Sequence, residues 1–72
     1  MAMLKITDGE RARKLRVKLG FRQNEFWPRV GVTQSAGSRY ETGSRRLSAP
    51  LRMLIELAYG NDALAALKRL RK

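Results

Sequence analysis

Apolar residues recur along this chain at intervals of three and four, the period of an α-helix rather than a strand. Ala12, Leu15 and Leu19 fall on one side of a first helix, with Arg11, Lys14 and Lys18 on the other. Thr7-Asp8-Gly9-Glu10 precedes them with the spacing of a capping box, a hydroxyl followed three residues later by a carboxylate. Gly20 suits the left-handed residue that closes such a helix. A second helix is expected over 23–30, bent or late-starting because Pro28 is disruptive beyond a first turn, and Gly31-Val32 closes it. Thr33 is a good N-cap for a third helix reaching about Thr42 and stopped by Gly43. Residues 44–47 read as a basic loop. Ser48 caps a fourth helix with Pro50 in its first turn and Leu51, Leu54, Ile55 and Ala58 on one face. Gly60-Asn61 is expected to end it and start a fifth helix, whose Leu64, Leu67 and Leu70 point inward. Residues 3–7 alternate weakly. An N-terminal arm (1–7) whose Ile6 staples the first helix is favoured there over a short strand. The expectation is all-α: five short helices and no convincing strand.

Composition narrows the partners. Seventy-two residues of 8.2 kDa make one domain spanning 1–72. Sixteen Lys and Arg stand against six Asp and Glu, a net charge of +10. Apolar residues make up 43%, too many for a disordered basic tail. Positive self-repulsion lowers the stability of so small a domain until a polyanion or counterions screen it. Neither His nor Cys occurs, so disulfides, thiol nucleophiles, imidazole bases and nearly every transition-metal site are excluded. Catalysis would have to rest on Asp8, Glu10, Glu25, Glu41, Glu56, Asp62, a lysine or a hydroxyl. No two of those carboxylates form a recognisable pair, so no enzyme, metal or cofactor is expected. The longest apolar run, Ala63 to Leu67, falls far short of the ~20 residues that cross a membrane. The opening Met-Ala-Met-Leu-Lys lacks the hydrophobic region of an export signal. A cytoplasmic, nucleoid-associated module is the expectation, with no small-molecule ligand evident.

The informative segment is 23–42. Two short helices joined by Val30-Gly31-Val32-Thr33 form a tight turn with glycine at its left-handed position, the geometry that sets a second helix across the first so that it can enter a major groove. The runs Arg22-Gln23-Asn24-Glu25-Phe26, Val30-Gly31-Val32-Thr33-Gln34-Ser35 and Ser38-Arg39-Tyr40-Glu41-Thr42-Gly43 resemble the Cro/repressor-type (XRE-type) helix-turn-helix family. The resemblance extends through Ser48-Ala49-Pro50 and covers about Arg11 to Gly60. It implies a compact, five-helix, lambda-repressor-like DNA-binding domain. Two positions depart from the family pattern: Trp27 stands where a small residue is usual, and Gly37 where a branched aliphatic one is. Both lie where the two helices cross, so they read as one compensated structural pair that keeps the filled volume constant.

Carried over residue by residue, the resemblance implies that Gln34, Ser35, Ser38 and Arg39 read bases. Glutamine suits adenine and arginine suits guanine in the major groove. Gln23, at the start of the second helix, is implied to meet the DNA backbone. Arg22, Thr33, Ser44, Arg45 and Arg46 are further phosphate candidates, which fix register without reading sequence. Other features have plainer readings. Arg11, Arg13, Lys14, Arg16, Lys18 and Arg29 read as solvated surface, and Lys68, Arg69, Arg71 and Lys72 as compensation of a helix dipole. Glu41 reads as structural, and Tyr40 and Phe26 as core. The function expected is a sequence-specific regulator of transcription bound to double-stranded DNA, most simply a repressor of a phage or mobile-element operon acting by promoter occlusion. One recognition helix reads few base pairs, so a homodimer on a palindrome is expected, joined through Leu64, Leu67 and Leu70 together with the arm, with intramolecular core as the equally weighted reading of those leucines. The competing expectation is an antitoxin-like or architectural basic protein.

Overall fold

The computed structural model describes the backbone of residues 6–70 and the side chains of residues 6–62. Four α-helices and one 3-10 turn occupy it: α1 (Gly9–Leu19), α2 (Gln23–Phe26), the turn Pro28–Val30, α3 (Gln34–Thr42) and α4 (Ala49–Leu70). Among the described residues there is no strand. The Met1 to Lys5 part of the arm lies outside them.

The N-terminal boundary of α1 differs by one residue from the expected one. Asp8, not Thr7, is the N-cap: its extended backbone lets a carboxylate oxygen accept the Arg11 N–H at 2.9 Å. Gly9, directly after it, is buried where a Cβ would run into the Tyr40 carbonyl, so α1 starts hard against the backbone of α3. The expected second helix is split. α2 is a single turn, and Pro28 opens a 3-10 turn instead of continuing it, because proline offers no N–H and clashes with the preceding turn of an α-helix. The Glu25 carboxylate accepts the Arg22 N–H at 2.8 Å and so closes the start of α2.

The expected fourth and fifth helices are one. α4 runs unbroken through Gly60 and Asn61. Gly60 is not among the glycines of positive φ, and no proline follows to block the ladder. A mid-helix glycine costs about 1 kcal/mol against alanine, and the packing of Ile55 and Tyr59 on the same helix outweighs that. The start of α4 follows the expected pattern: the Ser48 hydroxyl accepts the Leu51 N–H at 3.3 Å, and Pro50 sits in the first turn. Leu54 does not share the inner face expected of it and is 46% exposed. The side chains of Leu64, Leu67 and Leu70 lie outside the described residues.

The core is Ile6, Ala12, Leu15, Phe26, Trp27, Val30, Ile55 and Tyr59. Aromatic rings dominate it. Tyr59 stacks on Phe26 at 4.3 Å between ring centroids and meets Phe21 edge-on at 5.5 Å. Its hydroxyl donates to the Phe26 carbonyl at 2.6 Å, which ties α4 to the last residue of α2. Ile6 is buried, and its N–H donates to a Glu56 carboxylate oxygen at 3.0 Å, so the end of the arm is fastened to α4.

Candidate nucleic-acid interface

The turn between α2 and α3 depends on Gly31, whose φ of +77° lies in the left-handed region and is costly for any residue with a Cβ. Val32 then carries the chain to Thr33, extended, whose hydroxyl accepts the Ala36 N–H at 3.2 Å and opens α3. α3 has two unlike sides. Gly37 and Glu41 are buried, with Ala36 and Tyr40 half-buried beside them. Gln34, Ser35 and Arg39 are exposed and Ser38 half-buried, so the four sequence-predicted base readers share the outward side of one helix.

The inward side is locked by two features. Trp27 is fully buried, and its indole lies directly on Gly37: a Cβ there would overlap the ring. α2 and α3 therefore cross at a spacing only glycine permits. Glu41 is the second. Its side chain is 2% exposed and accepts four hydrogen bonds. The Arg16 guanidinium approaches both carboxylate oxygens, Nε at 2.8 Å and Nη2 at 3.1 Å. The Trp27 indole N–H donates at 2.8 Å and the Gln23 amide at 3.1 Å. Arg16 also donates to the Phe21 carbonyl at 2.9 Å. One carboxylate thus joins α1, α2 and α3. Burial pushes the Glu41 carboxyl up, but the hydrogen bonds from Arg16, Trp27 and Gln23 and the charge of Arg16 outweigh it and hold it below its ordinary value.

Two arginines read from sequence as solvated are structural. Arg16 is the partner of Glu41. Arg29 lies over the Tyr59 ring at 4.8 Å and pairs with Asp62 at 3.1 Å, bracing the 3-10 turn on α4. Lys14 meets Glu10 at 3.5 Å on the open surface, where such a pair adds little.

The predicted phosphate contacts fall into two groups. Arg22 and Gln23 sit at the start of α2, and Thr33 at the start of α3. Arg22 and Thr33 are exposed; Gln23 is half-buried, with one amide N–H committed to Glu41. Ser44, Arg45 and Arg46 are exposed in the loop after α3. The Ser44 hydroxyl donates to the Arg39 carbonyl at 3.2 Å, and the Arg45 guanidinium lies over the Tyr40 ring at 5.7 Å. Both contacts steady the loop against the end of α3. Sequence reading gave no role to Arg52, one turn into α4; its only signal was a further arginine shortly after the basic loop. No group of residues that could hold a metal ion occurs among the described residues, and no helix there is long and apolar enough to cross a membrane.

A family model described as an RsaL-like HTH domain matches residues 13–58, from the middle of α1 to the last buried turn of α4. That supports the helix-turn-helix class, under a different family from the Cro/repressor-type one the motifs resemble. Neither the curated proteins nor the solved structures hold a match to this chain.

Proposed function

Since the chain belongs to the RsaL-like helix-turn-helix family, we propose that it is a sequence-specific, double-stranded DNA-binding regulator that represses transcription by occupying promoters as a homodimer. The observation that carries this reading is the division of α3. Gln34, Ser35, Ser38 and Arg39 share its outward side, while Glu41 and the Trp27–Gly37 contact hold the other side at a set angle. Sequence reading by hydrogen bonds needs such a rigid presentation, because a donor and acceptor pattern is only discriminated at fixed geometry. The resemblance to Cro/repressor-type proteins supports the same roles for these residues and a phosphate role for Arg22, Gln23, Thr33, Ser44, Arg45 and Arg46.

The homodimer draws support from α4. Met53, Leu54 and Leu57 are exposed there, Leu57 to 79%. The dimer surface we propose is the exposed edge of α4 lined by Met53, Leu54 and Leu57. In this reading two recognition helices address half-sites about 34 Å apart, or a multiple of that.

Selection of bound sites from a random duplex library at physiological salt tests the proposal. A palindromic motif with half-sites a helical turn apart is the expected result. Recovery of unenriched sequence would overturn it in favour of an architectural protein that binds by its charge of +10 alone.

A further inference from the structure

Three donors converge on one atom near the end of the recognition helix. The Arg39 carbonyl oxygen lies 3.2 Å from the Thr42 hydroxyl, 3.2 Å from the Ser44 hydroxyl and 3.2 Å from the Arg45 N–H. The two hydroxyls are 2.9 Å apart. α3 itself has already ended at Gly43, whose N–H turns back to the Tyr40 carbonyl. The Arg45 bond therefore reaches back past the helix cap and draws the loop against the last turn of α3. The same arginine is held at its other end, with its guanidinium over the Tyr40 ring at 5.7 Å. Thr42 and Ser44 are both exposed, so each of their bonds competes with water and is a modest one.

The protons of the two hydroxyls decide their part. Each hydroxyl carries one proton, and a carbonyl oxygen has two lone pairs. With one lone pair taken by the Arg45 N–H, one hydroxyl proton fills the other and the second goes to the neighbouring hydroxyl. Whichever way round, both protons are spent within the loop. A phosphate oxygen only accepts, so neither hydroxyl has a proton to give it while the loop keeps this form. Ser44 thus serves phosphate binding through the loop it holds rather than by a bond of its own. Thr42, to which neither the sequence nor the resemblance gives a role, shares that part. We infer that Thr42 and Ser44 are positioning residues that lock the loop 44–46 to Arg39, so that base reading by Arg39 and phosphate contact by Arg45 and Arg46 move as one body. Phosphate contacts fix register on the duplex, and that register reaches the base reader only through a stiff connection. The pair therefore sets specificity without touching DNA. The inference rests on the DNA-binding reading above.

The test compares binding of the full chain to the selected site and to a random-sequence duplex across a salt series, for the unaltered protein and the double variant Thr42→Val/Ser44→Ala. The selected site should weaken about three- to tenfold, the range of one or two modest hydrogen bonds. The random duplex should weaken less than about twofold with its salt slope unchanged, because a loose loop still neutralises phosphates. Thr42→Ser/Ser44→Thr keeps both hydroxyls and should restore the specific affinity. Either single replacement should cost less than the double, since the remaining hydroxyl still fills the carbonyl. In an Arg45→Ala/Arg46→Ala background the double replacement should add no further loss, the mark of residues that act through others. Free in solution, the Arg45 amide should exchange its hydrogen faster in the double variant. Unaltered protein that binds no duplex, or binds both alike, would bring down the DNA-reading function, and this inference with it. Specific binding that the double variant keeps in full would bring down the inference alone, as would an unchanged Arg45 exchange rate. It falls equally if both duplexes weaken alike or if the loss persists without Arg45 and Arg46, since the hydroxyls would then touch DNA themselves.

Discussion

Glu41 takes a negative charge into the interior of a chain that carries +10 overall. It is stable there because four donors surround it, and removing the charge leaves Arg16 half-buried without its counter-ion. Glu41→Gln is expected to cost about 3 kcal/mol in chemical denaturation. The lowered pKa gives a pH signature. The folded-state value lies below the ordinary 4.5, so the unfolded chain binds the proton first on acidification. Glu41 therefore contributes its full stability above about pH 4.5 and loses it as pH falls through the folded-state value. The unaltered protein should lose stability progressively over that window, and Glu41→Gln should flatten the loss. Trp27 and Gly37 make a steric counterpart: Gly37→Val must displace the indole, and a fall of about 1–3 kcal/mol is expected in its thermal unfolding. An unchanged Tm would show that the ring has room to move. On the outward side, Arg39→Ala should cost about 1–3 kcal/mol on the selected site and relax preference at one base position, measured by competition with single-base variants.

At the scale of elements, most of the helical layout could be read from spacing. The apolar period of α1, the Thr33 cap of α3 and the Ser48-Ala49-Pro50 start of α4 depend on neighbours within one or two turns, and local rules reach that far. Gly60 shows where they stop. A glycine followed by asparagine is a helix end by local preference, yet here the helix continues, because Tyr59 is anchored in the aromatic core by its stack on Phe26 and its hydrogen bond to the Phe26 carbonyl. A Cβ at Gly60 would meet nothing within 4 Å, so Gly60→Ala should stabilise by about 0.5–1 kcal/mol, seen as a raised Tm. A lowered Tm would mean that the helix breaks there after all. Arg29 is similar: its surface-like sequence context conceals an Asp62 pair and a Tyr59 ring that lie far along the chain.

For the whole molecule, the exposed apolar edge of α4 is where the proposed homodimer can be tested. Leu57→Glu puts a charge into that edge without touching the core, since Leu57 is 79% exposed. In the proposed homodimer it should shift analytical ultracentrifugation profiles to the monomer and cost cooperative binding to the palindrome, with half-site affinity retained. Full retention of cooperativity would place the dimer contact elsewhere.

From composition and motif order alone came the all-helical class, a polyanionic partner, the helix-turn-helix and the outward-facing residues of α3. These follow from net charge, from helical periodicity and from a turn that needs glycine at one position, all of which are properties of a residue or its near neighbours. Folding was needed to show that Glu41 gathers Arg16, Gln23 and Trp27, that Gly37 is empty to admit a ring, and that two expected helices are one, held by the meeting of Tyr59 with Phe26. Each of those is a meeting between residues distant in the chain. No local pattern encodes such a meeting, because burial, the pairing of charges and the space left for a side chain exist only once the helices have packed.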